Sequence, residues 1–458
     1  MTHAPVRGRR PLVRALAGAA ALVASFGATG QATGQAAEPA VLFSDVRIFD
    51  GTSDALSPPS HVLVRGATIA EISQAPIAAP EGAQVIDGQG GTLMPGLIDA
   101  HAHLIMGAIP MGVLMTGSQN YIQMRAARAA EEFLMRGFTT ARDLAGPTFG
   151  LKQAIDEGYA VGPRIYPSGA MISQTSGHGD FRMISELPRE GGDLHYTERF
   201  GFSALADGEA EVLRRAREQL MQGASQIKLA AGGGVSSNYD PLDVTQFTEA
   251  EMRAAVEAAA AWNTYVTVHA YTPAAIRQAI RAGVQCIDHG QLADEETVKM
   301  MAEAGVWWSM QPFLDDAHAI PFPEGTPNRA KQIEMSNGTD TAYALAKKYG
   351  VKLAWGTDTL FDPELAKKQG EQLTKMVRWF TPAEVLKIAT HDNARLLALS
   401  GPRNPYPGEL GVVKEGALAD LLLVRGDVLA DIRLLEDPQA NLAVIMKNGR
   451  IHKGPGVR

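Results

Sequence analysis

The sequence predicts an α/β fold: a (β/α)8 TIM barrel carrying a small composite β-sandwich domain built from both ends of the mature chain. Three observations point there. The 458 residues exceed the usual size of one compact domain, so a large domain with a smaller companion is expected. The middle of the chain alternates short, nearly continuous apolar runs with amphipathic helical stretches, which is the mark of βα units around a parallel sheet. Short alternating strands with tight turns occur at both ends, and neither end has enough of them for a sheet of its own.

The first segment, residues 1–36, stands outside this fold. Arg7, Arg9, Arg10 and Arg14 precede the uncharged apolar stretch "ALAGAAALVASFGA", and small residues follow in "TGQATGQAAEPA". Basic, apolar and small-residue regions in that order predict a cleaved signal peptide. The apolar stretch is well short of the ~20 residues that a membrane-spanning helix needs. The Arg9-Arg10 pair leaves twin-arginine export open beside the general route. Cleavage near Ala36 removes four arginines and no acid, which lowers the formal net charge from −8 to −12. Such a surface argues against a nucleic-acid partner. The single cysteine, Cys286, permits no intrachain disulfide, and no cysteine near position 36 offers a lipid anchor. The expected location is periplasmic or secreted, with no membrane association after cleavage.

Residues 37–92 carry "VLFSDVRIFDG", "HVLVRGATIAEIS" and "AQVIDGQG", and residues 405–458 carry "GVVKEGALADLLLVRGD" and "NLAVIMKNGRIHKG". These two stretches are expected to pair into one β-domain. Between them, residues 93–404 hold eight candidate strands: "TLMPGLIDA", "FTTARDLAG", "PRIYPSGAMI", "SQIKLAAG", "YVTVHAY", "VQCIDHG", "VWWSMQP" and "KLAWGTD". Thr248 with Glu251, and Thr381-Pro382 with Glu384, predict capping boxes at two helix starts. A doubly wound open sheet is the alternative, but no glycine-rich phosphate fingerprint follows the first strand.

Chemistry concentrates at the strand ends, where a barrel places its active site. In "PGLIDAHAHL", His101 and His103 lie two residues apart on a strand, so both can reach one cation while Ala100 and Ala102 face the other way. Alone the pair has a second reading, as polar residues closing a strand. His269 ends "YVTVHAY", His289 ends "VQCIDHG" and Asp358 ends "KLAWGTD". Four of the eleven histidines therefore stand at matching points beside an aspartate. Imidazoles and a carboxylate together suit Zn²⁺ or a similar divalent ion. Lys228, inside the apolar run "SQIKLAAGGG", is costly to bury as an ammonium. It either reaches the rim or pairs with an acid, or, beside cations, loses its proton and reacts with CO₂ to give a carbamate able to bridge two metals. Two loops suit substrate binding. "SQTSGHGDFR" offers His178 and Arg182 for a carbonyl or carboxylate, and "AGGGVSSNYDPLD" offers Tyr239 on a glycine-rich segment suited to a mobile lid. The methionine-rich "MGAIPMGVLM" after the first strand suits a flexible apolar pocket lining, or simply a cover for the barrel mouth.

Together these motifs resemble the amidohydrolase superfamily, in particular its binuclear-metal branch of prolidase-like and carboxypeptidase-like enzymes, which includes ochratoxin amidohydrolases. The resemblance covers nearly the whole mature chain and includes "PGLIDAHAHL", the strand-four lysine, "TVHAY", "IDHG", "WGTD" and the closing "ADLLLVRGD". It implies that His101, His103 and Asp358 bind one divalent metal and that His269 and His289 bind the other, with Zn²⁺ the expected ion. Carboxylated Lys228 and a hydroxide would bridge the two metals, and Asp358 would orient the hydroxide and relay its proton. The implied reaction is cleavage of an amide or peptide bond in a dipeptide or N-acyl amino acid. His178 and Tyr239 would contact substrate, and homo-oligomers are expected by analogy. Deamination or cyclic-amide hydrolysis uses the same metals. A metal-binding protein that had lost catalysis would be expected to lack Asp358 or Lys228, and both are present.

Overall fold

The computed structural model describes residues 39–188 and 193–457, so the predicted signal peptide lies outside the described residues. Eight short parallel strands form the barrel: Leu97–Ala102, Phe138–Asp143, Arg164–Pro167, Ile227–Ala230, Val266–Ala270, Cys286–His289, Trp307–Met310 and Lys352–Trp355. The first three pair with one another, and the last five pair in sequence. Two seams complete the ring through hydrogen bonds outside the ladders. Ser225 N donates to Pro167 O at 2.8 Å, joining the third strand to the fourth, and Asp358 N donates to His101 O at 2.8 Å, joining the eighth to the first. Side chains early in the strands, including Ile98, Ala100, Tyr166, Tyr265, Cys286 and Trp307, pack into one cluster that plugs the barrel. The apolar faces of the surrounding helices bury the outer surface of the strands, as the sequence pattern requires.

The sequence places the helix starts well. Thr248 Oγ1 accepts from Glu251 N at 3.3 Å, while Thr248 N donates to Glu251 Oε2 at 2.7 Å. Thr381 and Glu384 repeat the same reciprocal pair. The last helix is not continuous, because Ile388–Asp392 adopts a wider π-helical turn between Pro382–Lys387 and Asn393–Leu397.

Residues from both ends of the described chain enter one eight-stranded sheet. Ala40–Ile48 pairs antiparallel with Ser60–Arg65 and parallel with Gln84–Asp87 and Thr92–Pro95, and Thr92–Pro95 in turn pairs with Leu421–Val424. A register break between Phe43 and Val46 lets the two halves of the Ala40–Ile48 strand serve different neighbours, which folds the sheet into a sandwich around Phe43, Val62, Ile86, Leu421 and Met446.

Three strand assignments change. "TLMPGLIDA" is two strands: Thr92–Pro95 belongs to the sandwich and Leu97–Ala102 to the barrel. They divide at Gly96, where a Cβ would strike the Thr139 side chain. "PRIYPSGAMI" divides at Gly169, whose φ of +73° turns the chain so that Met171–Ser173 pairs with the short strand Ser203–Leu205. That short strand is invisible to pattern reading because its three residues are too few to show alternation. Finally, Ala100 does not share a face with Ala102. Ala100 joins the barrel plug while Ala102 packs toward the helices, because the first strand shifts register between Asp99 and Ala102.

Asn393 ties the eighth strand to the first. Its Oδ1 accepts from Trp355 N at 2.9 Å, and its Nδ2 donates to Ile98 O at 2.7 Å and to Trp355 O at 2.8 Å. The side chain is fully buried. Asn393→Ala strands these backbone groups away from water. It is expected to cost on the order of 3–5 kcal/mol, read as a lower midpoint in chemical denaturation. An unchanged midpoint would show that the seam does not depend on this residue.

Candidate metal centre and active-site pocket

All six residues of the expected ligand set meet at the C-terminal end of the barrel. His101 and His103 end the first strand, Lys228 lies in the fourth and His269 in the fifth, His289 closes the sixth, and Asp358 follows the eighth by three residues. The four histidines and Lys228 are at most 9% exposed. Asp358 Oδ1 lies 2.9 Å from His103 Nε2 and 3.3 Å from His101 Nε2, and its Oδ2 lies 3.9 Å from His289 Nδ1. The ring centroids of His101 and His289 are 4.8 Å apart, and those of His269 and His289 are 4.5 Å apart. Among the described residues, His101, His289 and Asp358 offer ligand atoms that all lie within 4.8 Å of one another. This trio straddles the two ligand groups that the resemblance implies.

Electrostatics suit the trio for a cation. Burial pushes the Asp358 carboxyl up, but the charge of His101 and the hydrogen bonds from His101 and His103 outweigh it and hold Asp358 well below the ordinary carboxylate range. Burial drives His289 down to about 3 and His269 well below its ordinary value, so both imidazoles are neutral and keep a lone pair for a metal. His101 departs from this pattern: burial lowers it, yet the facing charge of Asp358 raises it overall.

Lys228 does not point free into the site. Its Nζ meets Asp288 Oδ2 at 2.5 Å. The same carboxylate accepts from Arg142 Nη2 at 2.7 Å and Thr267 Oγ1 at 2.7 Å, and it lies 3.5 Å from His101 Nδ1. Arg142, Lys228 and Asp288 are all at most 2% exposed. Burial lowers the Lys228 ammonium, the Asp288 charge opposes this, and the net position stays below the ordinary lysine value. Gln311 adds a further support, with its Oε1 2.7 Å from His289 Nδ1 and its Nε2 3.4 Å from His101 Nδ1. Sequence pattern alone does not reveal Asp288, Arg142 or Gln311. The available signal was the acid inside "IDHG", a charge in an apolar strand that faces the barrel interior with Cys286.

Above these groups opens a cavity of about 260 Å³. Met106, Met111 and Met115 line it from the segment after the first strand, and Phe313, Phe322, Met335, Leu360 and Phe361 line it from later elements. His178, Arg182 and Tyr239 all border it. His178 is the closest of the three to the metal-type residues, with its ring stacked on His269 at 4.0 Å between centroids. Tyr239 stands at the rim, 39% exposed. Arg182 is already engaged by Asp180, through Nε at 2.8 Å and Nη2 at 2.6 Å, so it is not free to seize a carboxylate. The glycine-rich segment is also not a free lid. Lys331 Nζ donates to the carbonyls of Gly234, Ser237 and Asp240 at 2.7, 2.8 and 3.2 Å, and Asn328 holds Val235 and Ser237. Its glycines permit close approach, since a Cβ on Gly233 would strike the Pro241 backbone and one on Gly234 the His178 ring.

The residues fit a metal centre. A carboxylate between two imidazole nitrogens with a third imidazole nearby is a divalent-ion donor set, and His103 Nδ1 is buried without a hydrogen-bond partner. His269 and His289 fit a second ion only when Lys228 is not an ammonium, because a third positive charge there would repel it.

Comparison with known proteins identifies the family. Residues 92–454 match the model of the Amidohydrolase family. The chain is 34% identical to an ochratoxinase of Aspergillus niger over 381 residues, covering 80% of this chain and 76% of that protein. A crystal structure of an amidohydrolase superposes with a TM-score of 0.83 at 35% identity, covering 91% of this chain and 99% of that one. A prolidase complexed with N-methylphosphonate-L-proline superposes with a TM-score of 0.81 at 34% identity, covering 91% of this chain and 100% of that one. The chain belongs to the amidohydrolase family, and it is a hydrolase of amide or peptide bonds.

Proposed function

We propose that this chain is an exported binuclear metalloenzyme that hydrolyses the amide bond of a dipeptide or N-acyl amino acid with an apolar side chain or acyl group. The observation that carries the reading is the convergence of His101, His103, His269, His289 and Asp358 beneath a methionine-lined cavity. Two divalent ions, Zn²⁺ by donor chemistry, would be held by these residues with carboxylated Lys228 between them. When bound, they supply an activated water and polarise the scissile carbonyl.

The remaining chemistry belongs to the chain. Asp358 is ionised, so it can accept a proton at the oxygen facing the cavity and return it to the leaving nitrogen. Its two-point contact with His101 and His103 fixes that carboxylate in place. His178, on the polar side of the cavity, binds an oxygen of the substrate, and Tyr239 stands at the rim within reach of it. Six methionines among the lining residues adapt to an apolar group and keep the reacting centre dry. The names of the matching proteins, an ochratoxinase and a prolidase, support an amide or peptide substrate. The basic and then apolar segment of residues 1–36 supports export. On this reading the enzyme is a homo-oligomer, by analogy with the family it resembles.

Two experiments test it. Zinc-loaded enzyme incubated with a panel of N-acyl phenylalanines and Xaa-Pro dipeptides should release free amino acid from at least one member, whereas silence across the panel by a fully loaded enzyme would sink the reading. Lys228→Ala should lose metal by elemental analysis and lose activity by more than about 100-fold, with partial recovery in short-chain carboxylates. A Lys228→Ala enzyme that keeps two metals per chain and full rate would exclude the bridging carbamate.

A further inference from the structure

One buried carboxylate behind His178 has no part in the chemistry above. Asp240 follows Tyr239 in the glycine-rich segment and is 2% exposed. Its Oδ2 accepts from Gly234 N at 2.8 Å and from Gln246 Nε2 at 3.4 Å, and it lies 3.6 Å from His178 Nδ1. Its Oδ1 is buried with no hydrogen-bond partner. Such an atom is costly unless the carboxylate has work to do.

His178 reaches this carboxylate from another loop. Its Nδ1 also lies 2.8 Å from Ser237 Oγ. Ser237 Oγ also lies 3.3 Å from Gly234 O, an acceptor for its hydroxyl proton that frees Oγ to accept from Nδ1. A carboxylate only accepts. With the hydroxyl proton donated to the Gly234 carbonyl, both neighbours of Nδ1 are acceptors, and the arrangement favours the Nδ1–H tautomer. The ring is confined on its other sides as well. One face stacks on His269, and Gly234 abuts the ring so closely that a Cβ there would collide with it. Gln246 completes the frame: its Oε1 accepts from His178 N at 2.9 Å while its Nε2 holds Asp240.

We propose that Asp240 is a positioning residue for His178, holding Nδ1–H inward so that Nε2 is the nitrogen presented to the substrate, with Gly234 left bare to admit the ring. The inference rests on the reading of His178 as a substrate-binding group. It predicts that Asp240 acts through His178 and not through the metal ligands or the fold.

A double-mutant cycle on the zinc-loaded enzyme tests this, using any substrate that the panel identifies. His178→Gln and Asp240→Ala should each lower kcat/KM by about tenfold or more, and Asp240→Ala combined with His178→Gln should be no worse than His178→Gln alone. Metal content should match the wild type in all three. Asp240→Asn should fall between, since its amide oxygen still accepts from Nδ1, and it replaces Asp240→Ala in the cycle where that variant does not fold. A readout independent of turnover is the ¹⁵N signal of His178, which should report a protonated Nδ1 in the wild type and shift in both Asp240 variants. Losses that multiply in the double variant, or Asp240 variants with wild-type kinetics beside an impaired His178→Gln, would overturn the positioning role and leave the proposed reaction standing. A fully active His178→Gln would instead remove the substrate role of His178 and this inference with it.

Discussion

The barrel interior is organised around one buried carboxylate. Asp288 accepts from Lys228, Arg142 and Thr267 at once, and each of these groups would be costly at its depth without it. Burial pushes the Asp288 carboxyl up, and the charges of Lys228 and Arg142 reverse this and hold it well below the ordinary range. With Lys228 as an ammonium, the buried set of Arg142, Lys228, Asp288 and Asp358 carries no net charge. In the proposed carbamate form the same set becomes negative, which is the condition under which two divalent ions are attracted to it. Asp288 neutralises the amine, and its bond to Arg142 does not depend on the state of that amine.

The same logic of paired charges extends up the walls of the cavity. Arg182 is held by Asp180, His318 by Glu371 and Lys375 by Asp316, so these charged neighbours of the apolar lining are largely spoken for. The proposed substrate would therefore meet shape and apolar contact more than free charge, with directional polar groups on His178 and the segment that carries Ser237 and Tyr239. That segment is tied from the outside by Lys331 and Asn328 of the helix Pro327–Tyr349. Two βα loops and this helix are consequently tied together at the polar end, while Met106, Met111 and Met115 line the cavity from the segment after the first strand.

Much of this was legible in the sequence, and the boundary of legibility has physical causes. His101, His103, His269, His289 and Asp358 announce themselves because metal-type side chains at strand ends contradict the apolar pattern around them. Lys228 does so for the same reason. Asp288 and Arg142 break the pattern equally, but their meaning lies in each other, across 146 positions of sequence. Asp240 hides differently, because a polar residue in a loop is ordinary until burial is known. The divided strands at Gly96 and Gly169 hide because a glycine within an apolar run signals either a bulge or a break, and only the neighbouring Thr139 and Phe149 decide which. Arg182 was visible as a cation in a loop, while its commitment to Asp180 two residues away follows from a local turn.

Backbone geometry shows how strongly the fold specifies the ligands. His289 has a φ of +77° and Asp358 a φ of +48°, both in the left-handed region that costs a side-chain-bearing residue on the order of 1 kcal/mol or more. Both conformations occur where a strand must end abruptly to turn its last side chain over the barrel mouth. Each is held by bonds from adjacent strands. Trp308 Nε1 donates to His289 O at 2.6 Å, Gly290 N donates to Ala270 O at 2.9 Å, and Asp358 N donates to His101 O. The last of these bonds also belongs to the seam between the eighth and first strands, beside the Asn393 and Thr357–Asp99 contacts. Ring closure and ligand placement are therefore one constraint: a barrel that opened between the eighth and first strands would release Asp358 from His101 and His103 in the same motion. The strain at Asp358 is tolerated because the bond that holds its backbone also helps to close the barrel.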